Sequence, residues 1–373
     1  MRIGVPKEIK NHEYRVGLTP ASVREYISRG HSVFVETGSG FGIGVIDESY
    51  RKAGAFIIDT AEEIFASADM IVKVKEPQPT EWGQLREGQI LYTYLHLAPD
   101  PEQTKGLQES GCTAIAYETV TDSDGGLPLL APMSEVAGRL SIQAGAITLQ
   151  KSNGGRGILL GGVPGVVPAK VSIIGGGVVG THAAKMAVGL GAQVTIIDRS
   201  IPRLRQLDNL FGSSVITRYS TLEVVEEETR SSDLVIGAVL IPGATAPKLV
   251  TKAMLSNMKP GAVVCDVAID QGGCFETSHA TTHDHPTYEV DGIVHYCVAN
   301  MPGAVPLTSS TALNNATLLF GLALADKGIE ALLDNPNLRT GLNVYCGHIT
   351  NQAVAEALNK EFEAPESILA TLL

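Results

Sequence analysis

The chain has 373 residues, which is long for a single hydrophobic core, so we expect two domains. Its formal net charge of −12 leaves no basic surface for a phosphate backbone or an anionic membrane, which argues against nucleic acid and membranes as partners. The apolar stretches are broken by proline and glycine, the N-terminus does not look like a secretory signal, and the five cysteines have no paired spacing. We therefore expect a cytoplasmic protein without a disulfide framework or a zinc site.

The N-terminal part of the chain alternates between strand and helix patterns. Apolar and β-branched runs predict strands and amphipathic spacing predicts helices, with strands at 2–6, 31–36, 71–75, 90–96 and 114–118 and helices at 20–29 and 61–67. This alternation is typical of an α/β domain with a parallel sheet. Ligands of such sheets bind beyond the carboxyl ends of the strands, where the sequence places Arg15, Lys75, His96 and Glu118.

A second α/β segment follows. Ser134 is the expected N-cap of a helix that runs to about residue 150 and bridges the two domains. Beyond a run rich in glycine and proline, the pattern predicts strands at 171–174, 193–197, 215–219, 234–240, 262–269 and 293–298. Six strands is the number in a complete Rossmann domain.

The C-terminal part is predicted to be helical, with helices at 308–326, 327–333 and 348–361 and no new sheet. These helices are too few for a third domain, so we expect them to pack onto the first. The predicted fold is α/β, with two Rossmann-like domains that have parallel sheets, are joined by long helices and are separated by a hinged cleft. Residues 1–133 and 307–373 form the predicted substrate domain, and residues 134–306 form the predicted NAD-binding domain.

The clearest motif lies at 170–198, where an apolar strand leads into Gly175, Gly177 and Gly180, followed by a helix pattern and a second strand. In this G-x-G-x-x-G spacing the first glycine permits a tight turn, the second lets a pyrophosphate approach the backbone, and the third lets the helix pack on the strand. The second strand ends at Asp198, whose carboxylate can accept hydrogen bonds from the adenosine ribose and repel a 2′-phosphate. The motif therefore predicts a dinucleotide site that prefers NAD.

The same topology predicts further cofactor contacts, because the strand ends of a Rossmann sheet face the dinucleotide. Arg203 is expected near the adenosine end. The other predicted contacts lie at the helix start after the glycines or directly beyond a strand, and they are Val178, Val179, Ser220, Val239, Leu240, Val267, Ala268, Ile269, Asp270, Val298, Ala299, Asn300 and Met301.

Residues 4–20 concentrate charge between a strand and a helix that starts with proline. This stretch resembles the N-terminal signature of the alanine dehydrogenase and pyridine nucleotide transhydrogenase family, apart from Gly17 where alanine is usual. Residues 173–198 resemble the second signature of the family, with Val179 where alanine is usual. The resemblance extends along the chain and includes DVAIDQGG at 266–273 and HYCVANMPGAVP at 295–306.

Within the family the chain most resembles the alanine dehydrogenases. That resemblance implies reversible oxidative deamination of L-alanine to pyruvate and ammonium with NAD, in a homohexamer. It also implies that Arg15 and Lys75 hold the substrate, that His96 is the general acid/base, and that Ser134 contacts the nicotinamide end of the cofactor.

The chemistry of these side chains also fits the reaction independently of the resemblance. The guanidinium of Arg15 offers two parallel donors to a carboxylate, and the ammonium of Lys75 can stabilise negative charge on a substrate oxygen. His96 titrates near neutral pH, and Asp270, predicted at a strand end of the second domain, could orient a water molecule. Each residue also has a structural interpretation: a surface arginine, a snorkelling lysine, a hydrogen-bonded core histidine and a turn-forming aspartate.

The residues leave three functions open: an alanine dehydrogenase, a nucleotide-binding subunit of a proton-translocating transhydrogenase, and a nucleotide sensor without turnover. Activity on another small acid, such as glycine or glyoxylate, is a variant of the first. A metal site is not predicted, because His279, His283 and His285 share one loop and hydride removal from an amino acid requires no Lewis acid. The sequence assigns this loop no role.

Overall fold

The computed structural model describes residues 1–239 and 246–370. The chain forms two compact units, of which the first comprises Met1–Met133 and Val305–Leu373 and the second comprises Ser134–Ala304. Among the residues described, no helix is both long enough and apolar enough to cross a membrane.

The N-terminal part of the first unit alternates strands with helices. In chain order its elements are β1 (Arg2–Val5), α1 (Pro20–Ser28), β2 (Ser32–Glu36), α2 (Asp47–Lys52), β3 (Phe56–Ile58), α3 (Ala61–Ser67), β4 (Met70–Val72), α4 (Pro79–Trp82), β5 (Ile90–Thr93), α5 (Pro101–Ser110) and β6 (Thr113–Ala116). The helices begin where local chemistry favours it. The side chains of Thr19, Thr60 and Asp100 each accept a hydrogen bond from a first-turn N–H, and Pro20 and Pro101 occupy first helical positions.

The second unit has a longer alternating series. Its elements are α6 (Ala131–Thr148), β7 (Lys170–Ile174), α7 (Val178–Gly189), β8 (Gln193–Asp198), α8 (Ile201–Phe211), β9 (Val215–Tyr219), α9 (Leu222–Ser231), β10 (Leu234–Gly237), α10 (Lys252–Ser256), β11 (Val263–Asp266), β12 (Thr287–Val290) and β13 (Ile293–Tyr296). The prediction that Ser134 caps α6 was wrong, because the helix begins three residues earlier, at Ala131. Pro132 is tolerated there because first-turn N–H groups have no partner within a helix.

The sheet of the second unit has the order β12-β13-β11-β10-β7-β8-β9. All neighbours except β12 and β13 pair in parallel. Without β12, the order from β9 to β13 is the 3-2-1-4-5-6 order of a Rossmann sheet, and the predicted α/β fold is confirmed. The sequence did not reveal β12, a short edge strand whose residues are all at least partly exposed.

Alternate residues of these strands enter different hydrophobic cores. Ile173 and Ile196 belong to one core with residues of α6 and α7, whereas Ile174 and Ile197 belong to another with residues of α9 and α10. Successive strand residues point to opposite faces of a sheet, so the second sheet is covered on both faces. Its edge at the carboxyl ends of the strands is therefore where a ligand can bind.

The C-terminal segment contains α11 (Pro306–Lys327), α12 (Glu330–Asp334), α13 (Pro336–Arg339), β14 (Leu342–Tyr345), β15 (His348–Ile349), α14 (Gln352–Leu358) and α15 (Pro365–Leu369). The sheet of the first unit has the order β15-β14-β6-β5-β4-β1-β2-β3, and its β14 and β15 pair antiparallel. The prediction that this segment is only helical was wrong, because two short strands extend the first sheet. Gly328 ends α11, so the helix predicted from residue 327 begins only at Glu330. The Asn351 side chain caps α14, so the helix predicted over 348–361 spans only Gln352–Leu358.

Candidate active site

Neighbouring strands bring the predicted substrate residues to one edge of the first sheet. Strands β1, β4, β5 and β6 are consecutive and parallel, so their carboxyl ends lie along the same edge. Arg15 follows β1, Lys75 follows β4, and His96 follows β5. This edge is the usual place for a ligand in such a sheet.

Arg15 is buried and held by Glu13. Its Nε and Nη2 donate to the two carboxylate oxygens of Glu13, each at 2.6 Å, and its Nη1 donates to Sδ of Met133 at 3.1 Å. Burial opposes the charge, but the carboxylate of Glu13 outweighs it, so the pKa of Arg15 lies above its ordinary value. Arg15 is therefore not a surface arginine but a fixed, permanently charged group.

Lys75 lies on a peptide that is fixed from both sides. Oε1 of Glu8 accepts hydrogen bonds from the N–H groups of Val74 at 2.7 Å and Lys75 at 3.3 Å, while Oγ1 of Thr93 donates to the Lys75 carbonyl at 3.0 Å. The Lys75 ammonium lies 3.8 Å from Oε2 of Glu76. The strand predicted over 71–75 ends at Val72, and beyond it Glu8 accepts the Val74 N–H while the Val74 carbonyl still accepts the N–H of Tyr94 at 3.3 Å.

Lys73, two residues earlier, has a structural role. Its side chain is fully buried, and Nζ donates to Oε2 of Glu8 at 3.1 Å and to Oε1 of Glu81 at 2.8 Å. Both carboxylates are buried as well. Lys75 is thus the one of the two lysines that a substrate could reach.

His96 has a backbone conformation that is unusual for a residue other than glycine. Its φ is +51°, in the left-handed region, and such strain often marks functional positions. Oε1 of Glu118 stabilises this conformation by accepting the N–H groups of His96 at 2.6 Å and Leu95 at 3.2 Å. The His96 ring keeps 42% of its surface exposed, with Nδ1 3.7 Å from Oε2 of Glu76. His96 is therefore not a core histidine, and the predicted strand 90–96 ends at Thr93.

Nearby charges set the pKa of His96. Desolvation by the surrounding protein lowers it, the carboxylates of Glu118 and Glu76 raise it, and the ammonium of Lys75 lowers it. The net shift is upward, so His96 carries a proton to higher pH than an ordinary histidine.

Sequence reasoning missed three of the carboxylates that hold these residues. Glu8 and Glu13 lie in the charged segment 4–20, and Glu76 directly follows Lys75. Their closeness in sequence to basic residues was a signal, but only the fold shows which oxygen meets which donor. Glu118 was placed at a strand end, without its role at the His96 backbone.

The glycine motif of the second unit forms a cradle suited to a pyrophosphate. Gly175 has φ +103°, and a methyl group on Gly180 would lie 1.9 Å from the Gly175 carbonyl oxygen. At Gly177, by contrast, no described atom outside the adjoining stretch of chain lies within 4 Å of such a methyl group. Helix α7 then begins at Val178 with no side-chain cap, so its first-turn N–H groups can meet an anion. These features fit a dinucleotide.

Asp198 and Arg203 both hold the glycine loop. The carboxylate of Asp198 accepts the N–H groups of Gly176 at 2.7 Å and Ser200 at 2.8 Å. Arg203, on α8, donates from Nε to the Gly176 carbonyl at 2.7 Å and from Nη2 to Oγ1 of Thr181 at 2.8 Å. The predicted contacts of Asp198 and Arg203 with the adenosine would be formed in addition to these hydrogen bonds to the glycine loop.

Most other predicted cofactor contacts lie just beyond parallel strands of the second sheet, and hence at its carboxyl edge. Val179 lies in the first turn of α7 and Ser134 in that of α6. Leu240 lies outside the described residues. The contacts that follow β9, β10, β11 and β13 are Ser220, Val239, Val267, Ala268, Ile269, Asp270, Val298, Ala299, Asn300 and Met301.

Asp270 does not end a strand, as the sequence predicted, because β11 stops at Asp266 and a 3₁₀ helix spans Val267–Gln271. The reason lies in the buried carboxylate of Asp266, whose Oδ2 accepts the Cys274 N–H at 2.8 Å and the Ser278 hydroxyl at 2.5 Å. These bonds fold the chain back after β11. Asp270 itself is exposed in the turn.

The histidine loop packs against β12 and the segment after β13. The ring of His279 stacks on Tyr288 with 3.7 Å between centroids, and Nε2 of His283 lies 3.2 Å from the Asn300 carbonyl oxygen. Over the ranges 1–239 and 246–370, no group of three His, Cys, Asp or Glu side chains is placed to hold a metal ion.

Two family models together match nearly the whole chain: the N-terminal domain of alanine dehydrogenase/PNT at residues 4–137 and its C-terminal domain at 141–352. An alanine dehydrogenase of Halomonas elongata is 59% identical over 370 residues, covering 99% of this chain and all of that protein. A solved L-alanine dehydrogenase has a TM-score of 0.93 and 54% identity, covering 96% of this chain and 99% of that one. A transhydrogenase of Sinorhizobium meliloti has a TM-score of 0.81 and 26% identity, covering 94% of this chain and 100% of that one.

Proposed function

The chain belongs to the alanine dehydrogenase/PNT family as an enzyme of the alanine dehydrogenase type, and we propose that it uses NAD to convert L-alanine and water reversibly to pyruvate, ammonium, NADH and a proton. The observation that carries this proposal is the ordered set of Arg15, Lys75 and His96 at one sheet edge, in a chain that also has a Rossmann glycine cradle. In the oxidative direction the reaction is a step of L-alanine degradation.

The transhydrogenase alternative is weaker on two grounds. The transhydrogenase is 26% identical to this chain, whereas the two alanine dehydrogenases are 54% and 59% identical. Hydride exchange between two nucleotides also needs no group that binds a small carboxylate, yet Glu13 and Glu8 fix Arg15 and the Lys75 peptide in place. A sensor without turnover has no use for a strained, exposed histidine.

Substrate binding falls to Arg15 and Lys75. We propose that Arg15 meets the alanine carboxylate and that Lys75 holds a carboxylate or carbonyl oxygen, which orients the α-carbon. Because Glu13 already fixes the Arg15 guanidinium and Glu8 fixes the Lys75 backbone, less conformational entropy is lost when the substrate binds. NAD, when bound, supplies the hydride acceptor.

Proton transfer falls to His96. The amino group of alanine first loses a proton to solvent. Loss of the α-hydrogen as hydride then leaves an iminium group, which water attacks, and the resulting carbinolamine releases ammonia. His96 accepts a proton from the attacking water and returns one to the departing nitrogen, and its raised pKa keeps the acid form available near neutral pH. Asp270 of the second unit is proposed to hold the water, and Ser134 to contact the nicotinamide end.

One assay tests the function. The protein is incubated with L-alanine and NAD at alkaline pH, and NADH formation is followed by its absorbance, with glycine as an alternative amino acid. Glyoxylate is tested in the reverse direction, with ammonium and NADH, by the loss of NADH absorbance. NADH formation that requires L-alanine supports the proposal. Reduction of a NAD analogue by NADPH, without NADH formation from any amino acid, would show a transhydrogenase instead.

Preference for NAD over NADP is proposed to depend on Asp198. We expect Asp198→Gly to lower the ratio of kcat/KM for NAD to that for NADP by about 10- to 100-fold, since a charged hydrogen bond is worth about 1.5–3 kcal/mol and Arg199 can then meet a 2′-phosphate. Loss of loop bracing affects both nucleotides and largely cancels in the ratio. The control Asp124→Gly, in an exposed turn of the first unit, should leave the ratio unchanged, and an unchanged ratio in both variants would exclude this role for Asp198.

A homohexamer is proposed as the assembled form. Apolar side chains are exposed on the long helices, with Ile147 on α6 and Leu319 on α11 each more than half exposed, and also at Leu159 and Val167 before β7. Such a surface suits contacts with other copies of the chain. Light scattering at micromolar concentration should give about six times the chain mass of 39.3 kDa, and a monomer would contradict the proposal. The cytoplasmic location expected from the sequence stays a prediction.

A further inference from the structure

Glu76 plays no part in the reaction as described above, yet it lies between two residues that do. Its Oε2 is 3.8 Å from Nζ of Lys75 and 3.7 Å from Nδ1 of His96. This oxygen is buried, and among the described residues no donor lies within hydrogen-bond distance of it. A buried oxygen aimed at two proposed reactive groups, and fully satisfied by neither, calls for an explanation.

The other carboxylates at this edge are used differently. Glu8 and Glu118 accept backbone N–H groups, and Glu13 accepts two bonds from the Arg15 guanidinium. These contacts stabilise the loop conformation. Among the residues described, the Glu76 carboxylate is paired instead with basic side chains, since its other oxygen, Oε1, pairs with the ammonium of Lys10.

Glu76 is also charged over the whole working range of pH. Desolvation raises the pKa of Glu76, but His96, Lys75 and Lys10 lower it by more. The net result is a pKa well below that of an ordinary glutamate. In the pair formed by Glu76 and His96, the histidine is therefore the group that gains and loses the proton. The carboxylate stays ionised while His96 titrates.

We propose that Glu76 is the positioning residue of the site: it orients the His96 ring through Nδ1, so that Nε2 is presented to the substrate, and it holds the Lys75 ammonium beside that ring. This inference rests on the proposed roles of His96 and Lys75. A carboxylate that faces one ring nitrogen fixes the tautomer and leaves the other nitrogen for proton transfer, and it stabilises the imidazolium that forms.

The charged groups around His96 come from several segments. Glu118 lies in the segment after β6, and Glu76 and Lys75 follow β4. Tyr94, whose pKa burial raises, contributes a neutral ring beside His96. Glu76→Gln keeps the size of the side chain and removes one of the two carboxylates. The pKa of His96 should then fall by about one unit, since an opposite charge at this distance shifts a pKa by about 1–3 units and the ring is partly exposed.

The test reads His96 directly. Diethylpyrocarbonate reacts with a histidine only when the imidazole is neutral. The rate of His96 carbethoxylation is measured at a series of pH values by mass spectrometry of the peptide that contains His96. The dependence of this rate on pH gives the midpoint of the His96 titration. This midpoint should fall by about one pH unit in Glu76→Gln and in a second charge-removing variant, Glu76→Ser. It should stay at the wild-type value in Glu76→Asp, which retains the charge, and in the control Glu109→Gln, whose side chain is exposed.

Kinetics separate positioning from a bystander charge. With free ammonia held constant, kcat/KM for pyruvate requires protonated His96. At pH values above the wild-type midpoint, kcat/KM should therefore be about tenfold lower in Glu76→Gln than in the wild type. Glu76→Asp, which keeps the charge, should retain most of the wild-type value. An unchanged midpoint in both charge-removing variants overturns the proposal, as does a shifted midpoint with unchanged kcat/KM. A shifted midpoint in a protein whose wild type makes no NADH from alanine would refute the proposed function while supporting the coupling of Glu76 to His96.

Discussion

Replacement of His96 by alanine should lower kcat for L-alanine oxidation by about 10²- to 10⁴-fold while NAD affinity changes little, since a positioned acid/base group contributes about that much to a rate. The water that attacks the iminium carbon must lose a proton, and the departing nitrogen must gain one. The loss should therefore appear in kcat rather than in KM.

The strained backbone of His96 requires a second variant. Alanine adopts a φ of +51° less readily than asparagine, so part of the loss in His96→Ala could come from a moved loop. His96→Asn tolerates that conformation and cannot transfer protons, and it should lose as much activity. His348→Ala, at an exposed histidine of β15, is the control and should behave like the wild type. Near-normal turnover of both His96 variants across about pH 6–10 would make Lys75 the leading candidate.

Replacement of Lys73 by methionine should destabilise the first unit by about 3–5 kcal/mol, because it leaves two carboxylates buried without their cation. Oε2 of Glu8 and Oε1 of Glu81 lie 3.1 and 2.8 Å from the Lys73 ammonium. Methionine fills most of the volume, so a cavity contributes little. Activity should fall too, since Glu8 also holds the Lys75 peptide.

Urea unfolding measures this effect, with Lys105→Met as the control because Lys105 forms an exposed pair with Glu109. Exposed pairs contribute about 0–1 kcal/mol, so the control should lie close to the wild type. Burial already raises the pKa of Glu8. A carboxyl group whose folded-state pKa is raised destabilises the fold as pH rises through that pKa, so the loss should be smaller in acid than at neutral pH. Equal free energies of unfolding for Lys73→Met and Lys105→Met would show that the buried ion pairs of Lys73 with Glu8 and Glu81 do not stabilise the fold.

The features that sequence could predict are local ones. The glycine motif combines a strand, a turn and a helix within a few residues, and its backbone requirements are visible in the residue types at Gly175 and Gly180. The strand-end positions of Arg15, Lys75 and His96 follow from the alternation of strands and helices, because parallel strands share a carboxyl edge.

The features that sequence could not predict depend on contacts between distant segments. Glu8 meets Lys73 and Val74 across the sheet edge, and Glu118 reaches the His96 peptide from the segment after β6. Those carboxylates accept backbone N–H groups just beyond the ends of β4 and β5, where apolar patterns alone extend the strands too far. Strands β14 and β15 were missed for a similar reason, since short antiparallel strands become stable only through pairing with β6.

The most direct test of the account follows the hydrogen that leaves alanine. The protein is incubated with L-alanine deuterated at the α-carbon and with NAD, and the products are quantified by mass spectrometry and by assays for pyruvate and ammonium. We expect deuterium in the reduced nicotinamide, with pyruvate, ammonium and NADH formed in equal amounts. Reduced nucleotide without deuterium, or formed without pyruvate, would contradict an alanine dehydrogenase.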